Sequence, residues 1–285
     1  MLLYGAVPVV VPAFLVFKFL TDGAFRRSFL PAARGVYAVV SAATAAPITG
    51  ARYFQHAGLL RRLWGLPSAR AYIDEGTGRP VLEFQAREGF CGSATLRCVL
   101  KSLGCREDRL PAQRWGKSIP ESWCEDIARI AREYAGGEKD EDGASAMELT
   151  TTIVRGDVDY DEFIEILREG LANPNVRIAC NYLRSALTGF EKVRYVPTHM
   201  IVAMLGGHFS PILGMLDEED ADDETAAKRG DGCPLVAIFD TSHKYNGVYF
   251  VPARRLYEAV KAVDLSNNNN NRAIVLVEKG AQAAM

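Results

Sequence analysis

The sequence predicts a mixed α+β fold, with helices packed against an antiparallel sheet. Three observations predict it. Runs at 176–183, 208–216, 234–240, 248–251 and 273–277 have strand length and are rich in β-branched, aromatic or continuously apolar residues. Other stretches, at 91–103, 121–134, 160–171 and 253–263, carry apolar residues at helical spacing. Between two of the strand-like runs lies Asn246-Gly247, a dipeptide that favours the tight turn of a hairpin and hence antiparallel pairing.

Taken in order, residues 80–84 (Pro-Val-Leu-Glu-Phe) alternate like a short strand, followed by the turn-like Arg87-Glu88-Gly89. A helix is expected from Cys91 to Leu103, stopped by Gly104, which serves as a C-terminal signal. The helix at 160–171 has Asp159 as its N-cap, because a short acidic side chain can accept from the first unpaired N–H groups. The asparagine run 267–271 is a low-complexity loop. Residues 217–224 hold seven acids in eight positions, which reads as a solvated loop rather than a metal site.

Composition excludes several classes. With 285 residues, 48% of them hydrophobic and 24% charged, the chain is neither a disordered tail, a collagenous repeat nor a small disulfide scaffold. The net charge of −2 conceals a division. Residues 1–73 hold eight Lys or Arg and one acid, so this part is cationic and the rest strongly acidic. No phosphate-cradling glycine loop, paired zinc-binding histidines or aromatic-basic stripe for nucleic acid is present.

The chain divides into an apolar, basic segment at 1–50 and a catalytic domain at 51–285. Residues 1–17 carry no charge, and as a helix they would rise roughly 26 Å against a bilayer core of about 30 Å. Cations follow the apolar run (Lys18, Arg26, Arg27, Arg34), which would keep the remainder on the cytoplasmic side. The expectation is a membrane anchor through residues 1–20. An organelle transit peptide is the alternative, since the segment is Arg-containing and poor in acids. A soluble arm packed on the domain is the third reading.

The six cysteines form no C-x-x-C pair, so neither a structural zinc site nor a disulfide framework is indicated. Cys98, Cys124 and Cys180 fall among apolar neighbours and read as small buried hydrophobes. Cys91 differs. It stands where a glycine-containing turn becomes a helix, and a thiol there meets unpaired N–H groups that favour the thiolate. Gly92 beside it leaves room for a substrate backbone.

A nucleophile of this kind needs a base, and the chain has four histidines. His208 starts one strand and Asp240 ends the next. If those strands form a hairpin, the two residues meet at one rim of the sheet, where the carboxylate would orient the imidazole. His243 is the rival base, and His199 a weaker one. Gln85, six residues before Cys91, can donate to an oxyanion alongside the Cys91 N–H. Gln, Cys at a helix start, then His and a carboxylate on later strands is the papain-like arrangement.

These residues resemble the phytochelatin synthase family. The resemblance is carried by Phe84-Gln85 with Gly89-Phe-Cys-Gly92, by Gly207-His-Phe-Ser-Pro-Ile212, and by Phe239-Asp240 with Lys244-Tyr245. It covers roughly residues 53–263. The resemblance implies a papain-like fold and γ-glutamylcysteine transfer from glutathione through a thioester on Cys91, making phytochelatin-type peptides for metal detoxification. It implies His208 as base, Asp240 as orienter, Gln85 at the oxyanion hole, and Gly92, Gly207, Tyr182 and Arg184 in substrate binding. Glutathione and metal–glutathione thiolates are the implied partners. Heavy-metal ions act as part of the substrate or as activators, no cofactor is tightly bound, and a homodimer is compatible. The family's Trp-rich segment has its nearest echo in Gln113-Arg-Trp-Gly-Lys117 and Trp123. A poor acceptor site would turn the same triad into a hydrolase of glutathione or its S-conjugates. A catalytically inactive, membrane-tethered thiol or metal-binding protein is the reading from another class. An acidic body disfavours an anionic substrate, so local cations such as Arg87 or Arg184 are expected to line the cleft.

Overall fold

A computed structural model describes residues 55–87, 89–113, 123–135, 148–188, 207–217, 233–264 and 270–280. The 1–50 segment, His199 and nearly all of the acidic run lie outside the described residues. Among those described, no helix is long and apolar enough to cross a membrane.

The described residues begin with two short helices, α1 (Ala57–Leu63) and α2 (Pro67–Arg70), and then α3 (Cys91–Ser102) and α4 (Trp123–Ala135). Strand β1 (Leu149–Arg155) leads to α5 (Tyr160–Ala172), β2 (Val176–Leu183) and the short α6 (Arg184–Thr188). Strands β3 (Gly207–Leu216), β4 (Leu235–Phe239) and β5 (Val248–Pro252) follow, then α7 (Ala253–Lys261). The minor ladder of β6 (Val263–Asp264) and β7 (Asn270–Asn271) precedes the last strand, β8 (Ala273–Lys279).

Six strands form one sheet in the order β1-β8-β2-β3-β4-β5, and every pairing is antiparallel. The fold is therefore α+β, as expected. β2 is central and buried along its whole length, so it reads as a continuous apolar run with helices on both faces. Ile178, Cys180 and Tyr182 join a core with Phe163 and Leu167 of α5 and Leu256 and Val260 of α7. Ala179 joins the opposite core, with Leu96, Val99 and Leu100 of α3 and Ile127 of α4. A third cluster packs Leu59 and Leu63 of α1 under Leu213, Leu235 and Phe250. Each such buried aliphatic or aromatic side chain contributes about 1.5–3 kcal/mol relative to exposure.

The local signals explain the boundaries. Asp159 caps α5 by accepting from the Glu162 N–H at 2.9 Å. Asn246 and Gly247 both have positive φ (56° and 88°) in the turn that enters β5, a conformation that Asn and Gly tolerate best. Two expectations need correction. Residues 80–84 form no strand; Pro80 makes one isolated bridge to Ile73, and the rest is extended chain outside the sheet. β1 was not among the expected strands, although its Thr-Thr-Thr-Ile-Val run is β-branched throughout. It pairs with β8 along all of its seven residues.

Candidate active site

The topology brings the first residues of β3 and the end of β4 to the same rim. β3 and β4 pair antiparallel, with a register shift between Ile212 and Gly214. His208 Nε2 lies 2.8 Å from Asp240 Oδ1, and both side chains are buried. That carboxylate is heavily supported. Oδ1 also accepts from Arg184 Nη2 at 2.9 Å and from the Ser242 backbone N–H at 2.8 Å. Oδ2 accepts from the hydroxyls of Tyr249 at 3.3 Å and Tyr182 at 3.5 Å. Burial pushes the Asp240 pKa up, but the charges of His208 and Arg184 and these hydrogen bonds outweigh it and hold it at about 2.

Cys91 is the first residue of α3, which packs against β3. Burial raises its thiol pKa. The charge of His208, a hydrogen bond to His208, a bond from the Phe209 backbone and the charge of Arg184 pull it down, and the net shift is downward. The other thiols move the opposite way: burial pushes Cys98 and Cys124 up to about 12, Cys105 to about 11, and Cys180 upward. His208 is shifted up: burial and Arg184 lower its pKa, while Asp240 and Cys91 raise it and prevail. Both shifts run toward thiolate and imidazolium, the direction that activates a cysteine nucleophile.

Gln85 is 5% exposed, and its backbone N–H donates to the carbonyl of Thr241, the residue after Asp240, at 2.8 Å. Gly92 is buried in the first turn of α3.

Three expected substrate-binding residues make contacts within the protein. Tyr182 is 0% exposed, and its hydroxyl exchanges hydrogen bonds with Ser210 and Tyr249, both at 3.0 Å. It supports Asp240 from behind and has no surface for a substrate. Arg184 turns inward to Asp240, touches His208 Nε2, and lies over the Tyr245 ring at 5.0 Å. Its guanidinium pairs with the Asp240 carboxylate, and the side chain remains 19% exposed. At Gly207 an added Cβ would sit 2.1 Å from Arg272 Nη1, so its missing side chain makes room for this protein's own guanidinium. Arg87 is exposed on the turn before α3, where its carbonyl accepts from the Phe90 N–H. His243 is exposed and stacked on Phe84, centroids 4.2 Å apart. His56 caps α1 through Nδ1.

Sequence reasoning missed Tyr249, Ser210 and Ser242. Ser210 is two residues beyond His208 and so shares its face of β3. Tyr249 carries a hydroxyl within an apolar strand, and a buried hydroxyl there must find a partner.

A model of the phytochelatin synthase family matches residues 80–273, about two thirds of the chain. The chain belongs to the phytochelatin synthase family. The matched span encloses Gln85, Cys91, His208 and Asp240. The chemistry of phytochelatin synthases is transfer of γ-glutamylcysteine with glutathione as substrate, and the mixed helix and antiparallel-sheet architecture is that of the family's papain-like fold. No curated protein matches the chain. Among the described residues, no cluster of three or more His, Cys, Asp or Glu side chains is arranged to hold a metal ion.

Proposed function

We propose that the protein makes phytochelatin-type peptides from glutathione through a thioester on Cys91, with His208 as general acid and base and Asp240 as its orienter. The observation that carries this reading is the lowered Cys91 thiol hydrogen-bonded to a His208 that Asp240 grips at 2.8 Å. The Cys91 thiolate attacks the carbonyl of the Cys–Gly peptide bond. The oxyanion that forms is stabilised by the Cys91 N–H and the Gln85 amide, a type of contact worth about 10²–10³ in rate. The C–N bond then breaks, and the imidazolium of His208 passes its proton to the departing glycine amine. In the second half, neutral His208 takes a proton from the free amine of another glutathione as that amine attacks the thioester. The product is one γ-Glu-Cys unit longer, and Cys91 is released as thiolate. Metal–glutathione thiolates are the proposed acceptor form, which places the metal in the substrate.

A second reading is favoured by the inward engagement of Tyr182 and Arg184. Both make bonds inside the protein, and if these bonds keep them from holding an acceptor, water takes the thioester and the enzyme is a hydrolase. Purified protein incubated with glutathione and Cd(II), followed by mass spectrometry, decides between them. Oligomers of γ-Glu-Cys support transfer. Release of γ-Glu-Cys and glycine alone overturns it in favour of hydrolysis.

A further inference from the structure

Gln85 does not lie on the sheet. Residues 81–85 belong to no strand, so the backbone around Gln85 lacks a ladder to fix it, and its bonds are made to other parts of the chain. The Gln85 N–H itself donates to the Thr241 carbonyl at 2.8 Å, and one side chain holds the residues on either side. Gln113 Oε1 accepts from the Ala86 N–H at 2.7 Å, and Gln113 Nε2 donates to the Phe84 carbonyl at 3.0 Å. These are the two residues flanking Gln85. The same Nε2 donates to Glu83 Oε1 at 2.9 Å.

Glu83 in turn is bound to α3, the helix that starts with Cys91. It accepts from Lys101 Nζ at 2.9 Å and pairs with Arg97, and its backbone N–H reaches Cys98 Sγ at 3.2 Å. Arg97 also donates to the Pro111 carbonyl at 3.0 Å, which secures the stretch that carries Gln113. The resulting bracket joins the segment of Gln85 to the helix of Cys91, the two sources of the oxyanion donors.

We propose that Gln113 is a positioning residue for the oxyanion hole, holding Gln85 at a fixed distance from the Cys91 N–H. The proposal rests on the assignment of Gln85 as oxyanion donor. A donor of this kind must be held within about 0.5 Å of its productive place. The single backbone bond from Gln85 to Thr241 leaves the segment free to pivot about it, and Gln113 restrains that pivot by tying the neighbours on both sides.

The test uses the full chain with glutathione and reads two signals: initial glycine release, which needs the oxyanion hole, and alkylation of Cys91 by iodoacetamide, which does not. Gln113→Leu should lower glycine release about 10–100-fold with little change in KM, and leave Cys91 alkylation as it was. Gln85→Ala should show the same pattern, and the double variant should be no slower than Gln85→Ala alone. Should the leucine variant fail to fold, Gln113→Asn, a methylene shorter and unable to reach both flanks, carries the same comparison. Losses that multiply in the double variant, or alkylation that falls in parallel with glycine release, overturn the role of Gln113. Full activity in Gln85→Ala, with Cys91→Ser inactive, instead overturns the oxyanion assignment on which the proposal stands.

Discussion

Arg184 and His208 hold the same oxygen of Asp240: Nη2 of one lies 2.9 Å and Nε2 of the other 2.8 Å from Oδ1. Asp240 therefore serves a permanent cation and a titrating one at once. The arginine neutralises part of the carboxylate's field, which keeps His208 from being locked as imidazolium. Its charge lowers the pKa of His208 and also that of Cys91. Removing it should move both upward. For Arg184→Met the bell-shaped pH profile of glycine release should shift to higher pH on both limbs. The rate at neutral pH should fall about tenfold or more. Arg184→Lys, which keeps the charge but not the planar fork, should restore part of the profile. An unchanged profile in Arg184→Met would remove the arginine from the titration of the pair.

The contrast among the thiols predicts selective modification. Cys91 has a lowered pKa, whereas Cys98 and Cys124 are buried and pushed up to about 12. Substoichiometric iodoacetamide at neutral pH should label Cys91 first, as peptide mass mapping can show. The pH midpoint of labelling should rise in His208→Ala, because the imidazolium that stabilises the thiolate is gone. Cys91→Ser should abolish glycine release, by about 10³-fold or more.

Tyr182→Phe separates support from substrate contact. The change leaves Ser210 and Tyr249 each short of a hydroxyl partner in a sealed interior, at a cost of about 1–3 kcal/mol in unfolding free energy. KM for glutathione should stay unchanged, since Tyr182 is fully buried. A large rise in KM without loss of stability would restore the direct role in substrate binding.

Asp240 links stability to acid. Its folded pKa of about 2 lies below the ordinary carboxylate value of 3.8, so its contribution is complete above that value and is lost as pH falls through about 2. A shift of this size corresponds to roughly 2 kcal/mol. Denaturant unfolding of the native protein between pH 5 and 2 should show the decline, and Asp240→Asn should be less stable at pH 5 with a flatter dependence below it.

The parts legible in the sequence were those set by local chemistry. Asp159 announced its helix because capping needs only a short acceptor before an apolar repeat, and Asn246-Gly247 announced its turn because few residues tolerate positive φ. The meeting of His208 and Asp240 followed from one assumption, that neighbouring strands form a hairpin. What escaped was set by distant contacts. Residues 80–84 alternate as a strand would, yet their partners are Tyr72, Cys98 and Gln113 rather than a neighbouring ladder. Arg184 and Tyr182 are polar residues of types that often touch substrate. Only the packing of β2 beside β3 and β5 behind them shows that their partner is a buried carboxylate.

β8 is the last of the described strands in sequence, yet it lies between β1 and β2, two strands that come well before it. In chain order Cys91, His208 and Asp240 therefore all precede the strand that closes the sheet beneath them. A chain cut at residue 273, where the family match ends, would keep Gln85, Cys91, His208 and Asp240 while losing nearly all of β8. The gap would leave two unpaired strand edges facing each other. The sheet that carries the site is thus closed by a strand that follows all four of these residues in sequence, so loss of β8 should disrupt their arrangement although it removes none of them.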